Sequence, residues 1–165
     1  MPALTQDTRL LLIEKVAAHE SGGSFSATNR DGEFRGHFNR GDSFHPAFQT
    51  FHVGLSFGIV QFTQDSGTLG RLLVRVKRSD PQAFSQVFGH DEAELMEVTT
   101  ANGPRSKESP PRGPRVQPVA GTDLWEEPWV GRFEDSGEHR PFQIEQLKLA
   151  DELYLEPMLQ FCQWL

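Results

Sequence analysis

The sequence predicts a mostly helical α+β fold, and three observations carry that reading. Apolar residues recur at helical spacing in several segments. A single run, "HVGLSFGIVQF" from His52 to Phe62, has the β-branched and aromatic enrichment of a strand. The chain also shows no succession of strand, helix and strand of the kind that builds a parallel sheet. With 165 residues, 36% of them hydrophobic, and a mean hydropathy of -0.50, it fits one modest globular domain spanning 1–165.

Thr5 and Asp7 are N-cap candidates for a first helix through "TRLLLIEKVAAHE". Ile13, Val16, Ala17 and Glu20 fall on one stripe of that helix, and Gly22 with Gly23 supplies a left-handed C-cap. From Ser24 to Gln49, Asn, Asp, Gly and Phe dominate, which reads as loops with a short hairpin through "NRDGEF". The strand from His52 gives way to a helix over "SGTLGRLLVRVKR". Asp80 and Pro81 open a short helix that ends near Gly89, and another follows from about Asp91 to Thr100.

Between Asn102 and Gly121 the composition turns to Pro, Arg and Gly, which predicts a mobile loop without a packed core (102–121). Next come a helix around "DLWEEPWVGRFE", interrupted at Pro128, and a longer one over "FQIEQLKLADELYLEPMLQFCQWL" with a kink or break at Pro157. No internal repeat is present.

A net charge of -7 and a pI near 5.3 argue against nucleic acid as a partner, because neutralising phosphates needs clustered Lys and Arg. Cationic or neutral ligands suit this surface better. The longest apolar runs, such as Leu10 to Ile13, are too short to insert in a membrane, and no secretory signal is visible. The single cysteine, Cys162, rules out an intramolecular disulfide and, between Phe161 and Trp164, reads as a core thiol.

No metal or cofactor is expected. "HESGG" begins like a zincin motif but has Gly23 where the second histidine must stand, and His37, His45 and His52 with Asp42 lack a ligand spacing. "GLSFG", Gly54 to Gly58, formally matches a nucleophile elbow at Ser56. That elbow requires a helix where "GIVQF" continues as a strand, so Ser56 reads as a cleft-lining or strand hydroxyl. Phe57, Trp125, Trp129 and Tyr154 are candidates for stacking on sugar rings, with core packing the commoner fate. The Arg and Lys of "PRSKESPPRGPR" either touch an anionic partner or are simply solvated.

One stretch, "KVAAHESGGSFSATNRDGEF", stands out because a glutamate ends an apolar helical stripe and glycines follow at once. There a carboxylate meets the negative end of the helix macrodipole, and desolvation on an apolar face further disfavours its charged form. A general acid in glycosidic bond cleavage needs such a setting.

"ESGG" after an amphipathic helix, followed by "GLSFGIVQF", resembles the lysozyme-like superfamily. In that superfamily the catalytic Glu ends a helix, and a glycine-led strand of the Gly-apolar-apolar-Gln kind lines the cleft. The downstream "WVGRFEDSGEHRPFQIEQLKLADELYLEPML" resembles the C-terminal half of family 46 chitosanase-type glycoside hydrolases. The combination also resembles peptidoglycan-hydrolase domains carried by type VI secretion spike proteins and effectors. Together these likenesses cover most of the chain outside the Pro-rich loop.

The resemblance implies a lysozyme-like fold with a small β-hairpin lining a cleft, and hydrolysis of β-1,4 bonds in peptidoglycan. Glu20 matches the general acid, and Gly58, Ile59, Val60 and Gln61 match the cleft strand. The chitosanases carry an Asp shortly before that strand where this chain has "TFHVGLS", so the second carboxylate is not carried over. Asp31 and Glu33 in the expected hairpin are the nearest candidates, then Asp42, although Asp-Gly is also ordinary hairpin chemistry. Goose-type lysozymes and lytic transglycosylases manage with a single Glu. Asn29, Ser56, Gln61 and Thr63 are the expected substrate-binding residues.

The implied partners are peptidoglycan glycan strands, an immunity protein and a secretion spike protein. Delivery would bypass a signal peptide and end in the periplasm or cell wall of a target bacterium. Two alternatives stay open: a chitosanase, for which an acidic surface suits a cationic polymer, and a non-catalytic glycan-binding or spike-associated module.

Overall fold

A computed structural model describes residues 4–29, 33–37, 48–104, 106–108 and 111–163, with 33–37, 48–51 and 163 described by their backbone alone. Helix α1 runs over Gln6–Glu20. Thr5 is its N-cap, its hydroxyl accepting from the Thr8 N–H at 3.3 Å, while Asp7 lies inside the first turn, where a negative charge suits the macrodipole. At the other end the N–H groups of Ser21 and Gly23 both donate to the Ala17 carbonyl at 2.9 Å. Gly22 and Gly23, with φ of 67° and 81°, take the left-handed conformation expected of the cap.

The β structure departs from the sequence reading. Strands β1 (Thr28–Asn29), β4 (Ser56–Phe57) and β5 (Phe62–Thr63) form an antiparallel sheet in the order β1-β4-β5, with Thr28 opposite Phe57 and Phe57 opposite Phe62. Strands β2 (Glu33–His37) and β3 (Phe48–His52) pair separately, placing Glu33 opposite His52. Residues on either side of Asp-Gly therefore join different sheets, and the hairpin expected through "NRDGEF" is corrected.

The single strand expected from His52 to Phe62 is likewise a strand end followed by a tight hairpin. Gly58 has φ of 83° and Gln61 has φ of 55°, so the chain reverses across Gly58–Gln61 instead of staying extended. Ile59 and Val60 are buried at the tip of that turn, which explains their strand-like hydrophobicity.

Helix α2 (Thr68–Ser79) lies at the centre, its Leu69, Leu72, Leu73 and Val76 fully buried. Around it pack α3 (Pro81–Phe88), α4 (Glu92–Thr100) and α6 (Arg140–Ala150), with α5 (Trp129–Glu138) against α3 and α6. Gly70 lets α2 approach the Thr99 carbonyl of α4, where a Cβ would collide. Phe84, Phe88, Trp129, Phe133 and Phe142 complete a buried aromatic cluster with tilted and stacked ring pairs. The Asp80 side chain caps α3 by accepting from the Ala83 N–H at 2.9 Å, as its Asp-Pro start implies.

Three further expectations are revised. The described part of 102–121 is tied down: Val116 and Val119 are fully buried, and the Val119 carbonyl accepts from the Trp129 indole at 3.1 Å. Two buried valines anchor it, with the Arg112–Asp123 ion pair at 2.8 Å. Upstream of Pro128 the chain forms turns, and the helix starts only at Trp129. The interruption assigned to Pro157 falls just before it, where α6 passes through a π-helical segment (Asp151–Leu155) into α7 (Glu156–Gln163). Pro157 has no N–H for the Leu153 carbonyl, so the regular ladder breaks one turn upstream. No helix among the described residues is long and apolar enough to cross a membrane.

Candidate functional site

Glu20 lines a groove of about 570 Å³ that α1 forms with the π-helical segment and α7. Leu12, Ile13 and Val16 line it from α1, Val60 from the β4–β5 turn, and Tyr154, Met158, Leu159 and Cys162 from the C-terminal helices. The stripe read from the sequence thus divides: Ile13 and Ala17 are buried, while Val16 and Glu20 are exposed to the groove. Glu20 is not desolvated in the way its apolar neighbours implied. Its carboxylate has no hydrogen-bond or ion-pair partner among the described residues, which leaves it available to a ligand.

The backbone on which Glu20 stands is held firmly. Ser21 Oγ donates to the Ile59 carbonyl at 2.9 Å and also reaches the Ala17 carbonyl at 3.2 Å, joining the end of α1 to the Gly58–Gln61 turn. Gln146, fully buried on α6, completes the joint. Its Oε1 accepts from the Ile59 N–H at 2.9 Å, and its Nε2 donates to the Phe25 carbonyl at 3.0 Å. A Cβ on Gly58 would collide with that same Oε1, so the glycine is required by the close approach as well as by its φ.

Gln64 repeats the device one turn along, accepting from the Leu55 N–H at 2.6 Å and donating to the Arg115 carbonyl at 2.9 Å, while Gly54 makes room for it. These two glutamines, and the role of Ser21, were missed by the sequence reading. No local signal marks them, because their partners are backbone atoms distant in the chain.

Tyr154 is the groove residue with a clearly shifted ionisation. Burial comes first and the Glu20 charge second in pushing its phenol up, so it stays a neutral donor at ordinary pH. Of the four aromatics named from the sequence, Phe57 and Trp129 belong to the core, and Trp125 stacks on His52 at 6.0 Å beneath the Arg112 guanidinium. Tyr154 alone of them lines the groove. Cys162 lines it too and is exposed, which corrects its assignment as a core thiol.

The other expected residues are scattered in role. Asn29 is exposed on β1. Ser56 is buried in a strand that leads into a hairpin, so it has neither the access nor the following helix of a nucleophile elbow. Gln61 folds its amide back onto the Gly58 carbonyl at 3.0 Å. The Thr63 hydroxyl bonds Ser66 at 2.7 Å, and the Thr63 N–H donates to the Thr68 hydroxyl at 2.9 Å, a polar cluster at the start of α2. Glu33 opens β2 by its backbone, and Asp31, Asp42 and His45 lie outside the described residues. Among the described residues no three His, Cys, Asp or Glu side chains gather as a metal site. Comparison with protein-family models, with curated proteins and with solved structures returned no match.

Proposed function

We propose that the chain is a lysozyme-like glycoside hydrolase that cleaves β-1,4 bonds of peptidoglycan, as a secreted antibacterial effector domain. The observation that carries this reading is the Ser21–Ile59 hydrogen bond. It holds an unpaired, exposed Glu20 beside the Gly-apolar-apolar-Gln turn, the two motifs on which the resemblance rests. In this reading Glu20 protonates the leaving glycosidic oxygen, and the neutral Tyr154 phenol donates a hydrogen bond to a bound sugar. Asp31 or Glu33 supplies the second carboxylate, activating water or stabilising the oxocarbenium-like transition state. Asn29 on exposed β1 contacts the glycan. An immunity protein and a secretion spike protein are the partners such an effector domain would need.

One observation favours a second reading, a non-catalytic glycan-binding or spike-associated module: the groove beside Glu20 is mostly apolar, and Glu20 is exposed. Incubating the wild type with purified peptidoglycan and, in parallel, with chitosan, followed by mass analysis of the products, separates the readings. Hydrated muropeptides support the muramidase and chitosan oligomers alone support a chitosanase. Binding with no released product supports the module.

A further inference from the structure

A second cavity, of about 450 Å³, opens beside the start of α2, and among the described residues its charged lining is basic: Arg71, Arg75 and Arg115, with Ser66, Thr100 and Asn102 as polar neighbours. Such a lining is unusual in a chain of net charge -7. Part of the charge is neutralised. Glu152 pairs with Arg71 at 2.5 Å and with Arg75 at 2.6 Å, and Glu145 pairs with Arg75 at 3.0 Å and with Lys148 at 2.7 Å. Three cations therefore share two carboxylates, and Arg115 pairs with none among the described residues.

The partners of Arg115 are neutral: Nη1 donates to the Asp65 carbonyl at 3.2 Å and Nη2 to the Asn102 side-chain oxygen at 2.9 Å. Those two bonds, and the close packing of its Nε against Gly67, fix the guanidinium while leaving further N–H groups unused. A half-buried, positioned guanidinium without an ion-pair partner among the described residues is suited to an oxyanion, which accepts from its remaining N–H groups.

We propose that this cavity binds an oxyanion group, a phosphate ester or a carboxylate on a small organic body, with Arg115 as the main donor and Arg71 as the second. The site is separate from the Glu20 groove and does not rest on the glycosidase reading. It gives a function to Arg115, the last residue of the basic stretch "PRSKESPPRGPR".

The test titrates the full chain with methyl phosphate and, separately, with succinate at constant ionic strength, following the backbone and Arg side-chain NMR signals. Saturable shifts at Ser66, Arg71 and Arg115 are expected, with affinity at least tenfold weaker in Arg115→Gln and several-fold weaker in Arg71→Gln. Arg140→Gln, an exposed charge elsewhere, is expected to bind as wild type. Saturation by methyl phosphate assigns the phosphate source, and saturation by succinate the carboxylate source. If Arg115→Gln fails to fold, the exposed Arg71→Gln carries the comparison. No saturable shift with either anion, or wild-type affinity in the folded Arg variants, overturns the proposal.

Discussion

Glu20 and Tyr154 line one groove from two helices, and the charge of the first adds to burial in raising the phenol of the second. Tyr154 is the only tyrosine in the chain, so the ultraviolet titration of tyrosinate reports on this groove alone. The wild type is expected to ionise above the ordinary value of about 10. Glu20→Gln is expected to move the midpoint partway back down, since burial remains and the charge is gone. An unchanged midpoint would mean that the carboxylate does not reach the tyrosine.

Cys162 provides an independent view of the same surface. Because it is exposed on the groove, a thiol reagent is expected to modify it in the native protein at a rate within severalfold of that in denaturant. Strong native protection would return the residue to the core role that its neighbours Phe161 and Trp164 suggested.

Gln146 joins α6 to both the Ile59 turn and the Phe25 loop, so Gln146→Ala leaves a buried N–H and a carbonyl without partners. A loss of about 2 kcal/mol is expected in denaturant melts. Gly58→Ala is expected to cost at least as much, because φ there is 83° and the new methyl meets the Gln146 amide. Wild-type stability in both variants would contradict the joint between the end of α1 and the turn.

Glu145 gives the fold an acid limit. Burial alone would raise its carboxyl, but hydrogen bonds from Lys148 and Arg75 outweigh that and hold it below the ordinary range. A carboxyl lowered in the folded state contributes stability above its unfolded value, near 4.3. That contribution is lost as pH falls through the folded value. Melting temperature is expected to drop below about pH 4 in the wild type, with a shallower drop in Glu145→Gln, whose neutral-pH stability is lower. An identical acid profile in the two proteins would remove Glu145 from the account.

Most helices were legible because each rests on local signals: Thr5 before α1, Asp80-Pro81 before α3, and the apolar stripe of α2. The β structure was less so. Two-residue strands such as β4 and β5 carry no alternation, and buried turn residues like Ile59 and Val60 look like strand. The site was half visible. Glu20 could be picked out because a helix end and two glycines frame it, and Tyr154 was named among the aromatics. Ser21, Gln64 and Gln146 could not, since their partners are backbone atoms as far as 121 residues away in the chain.

The central claim is that Glu20 transfers a proton in cleaving a glycan. The most direct measurement compares the rate of peptidoglycan cleavage by wild type, Glu20→Gln and Glu14→Gln, the last an exposed glutamate on the same helix. All three are expected to fold alike, with Glu14→Gln at the wild-type rate and Glu20→Gln slower by about 100-fold or more. A folded Glu20→Gln that cleaves at the wild-type rate would contradict the assignment.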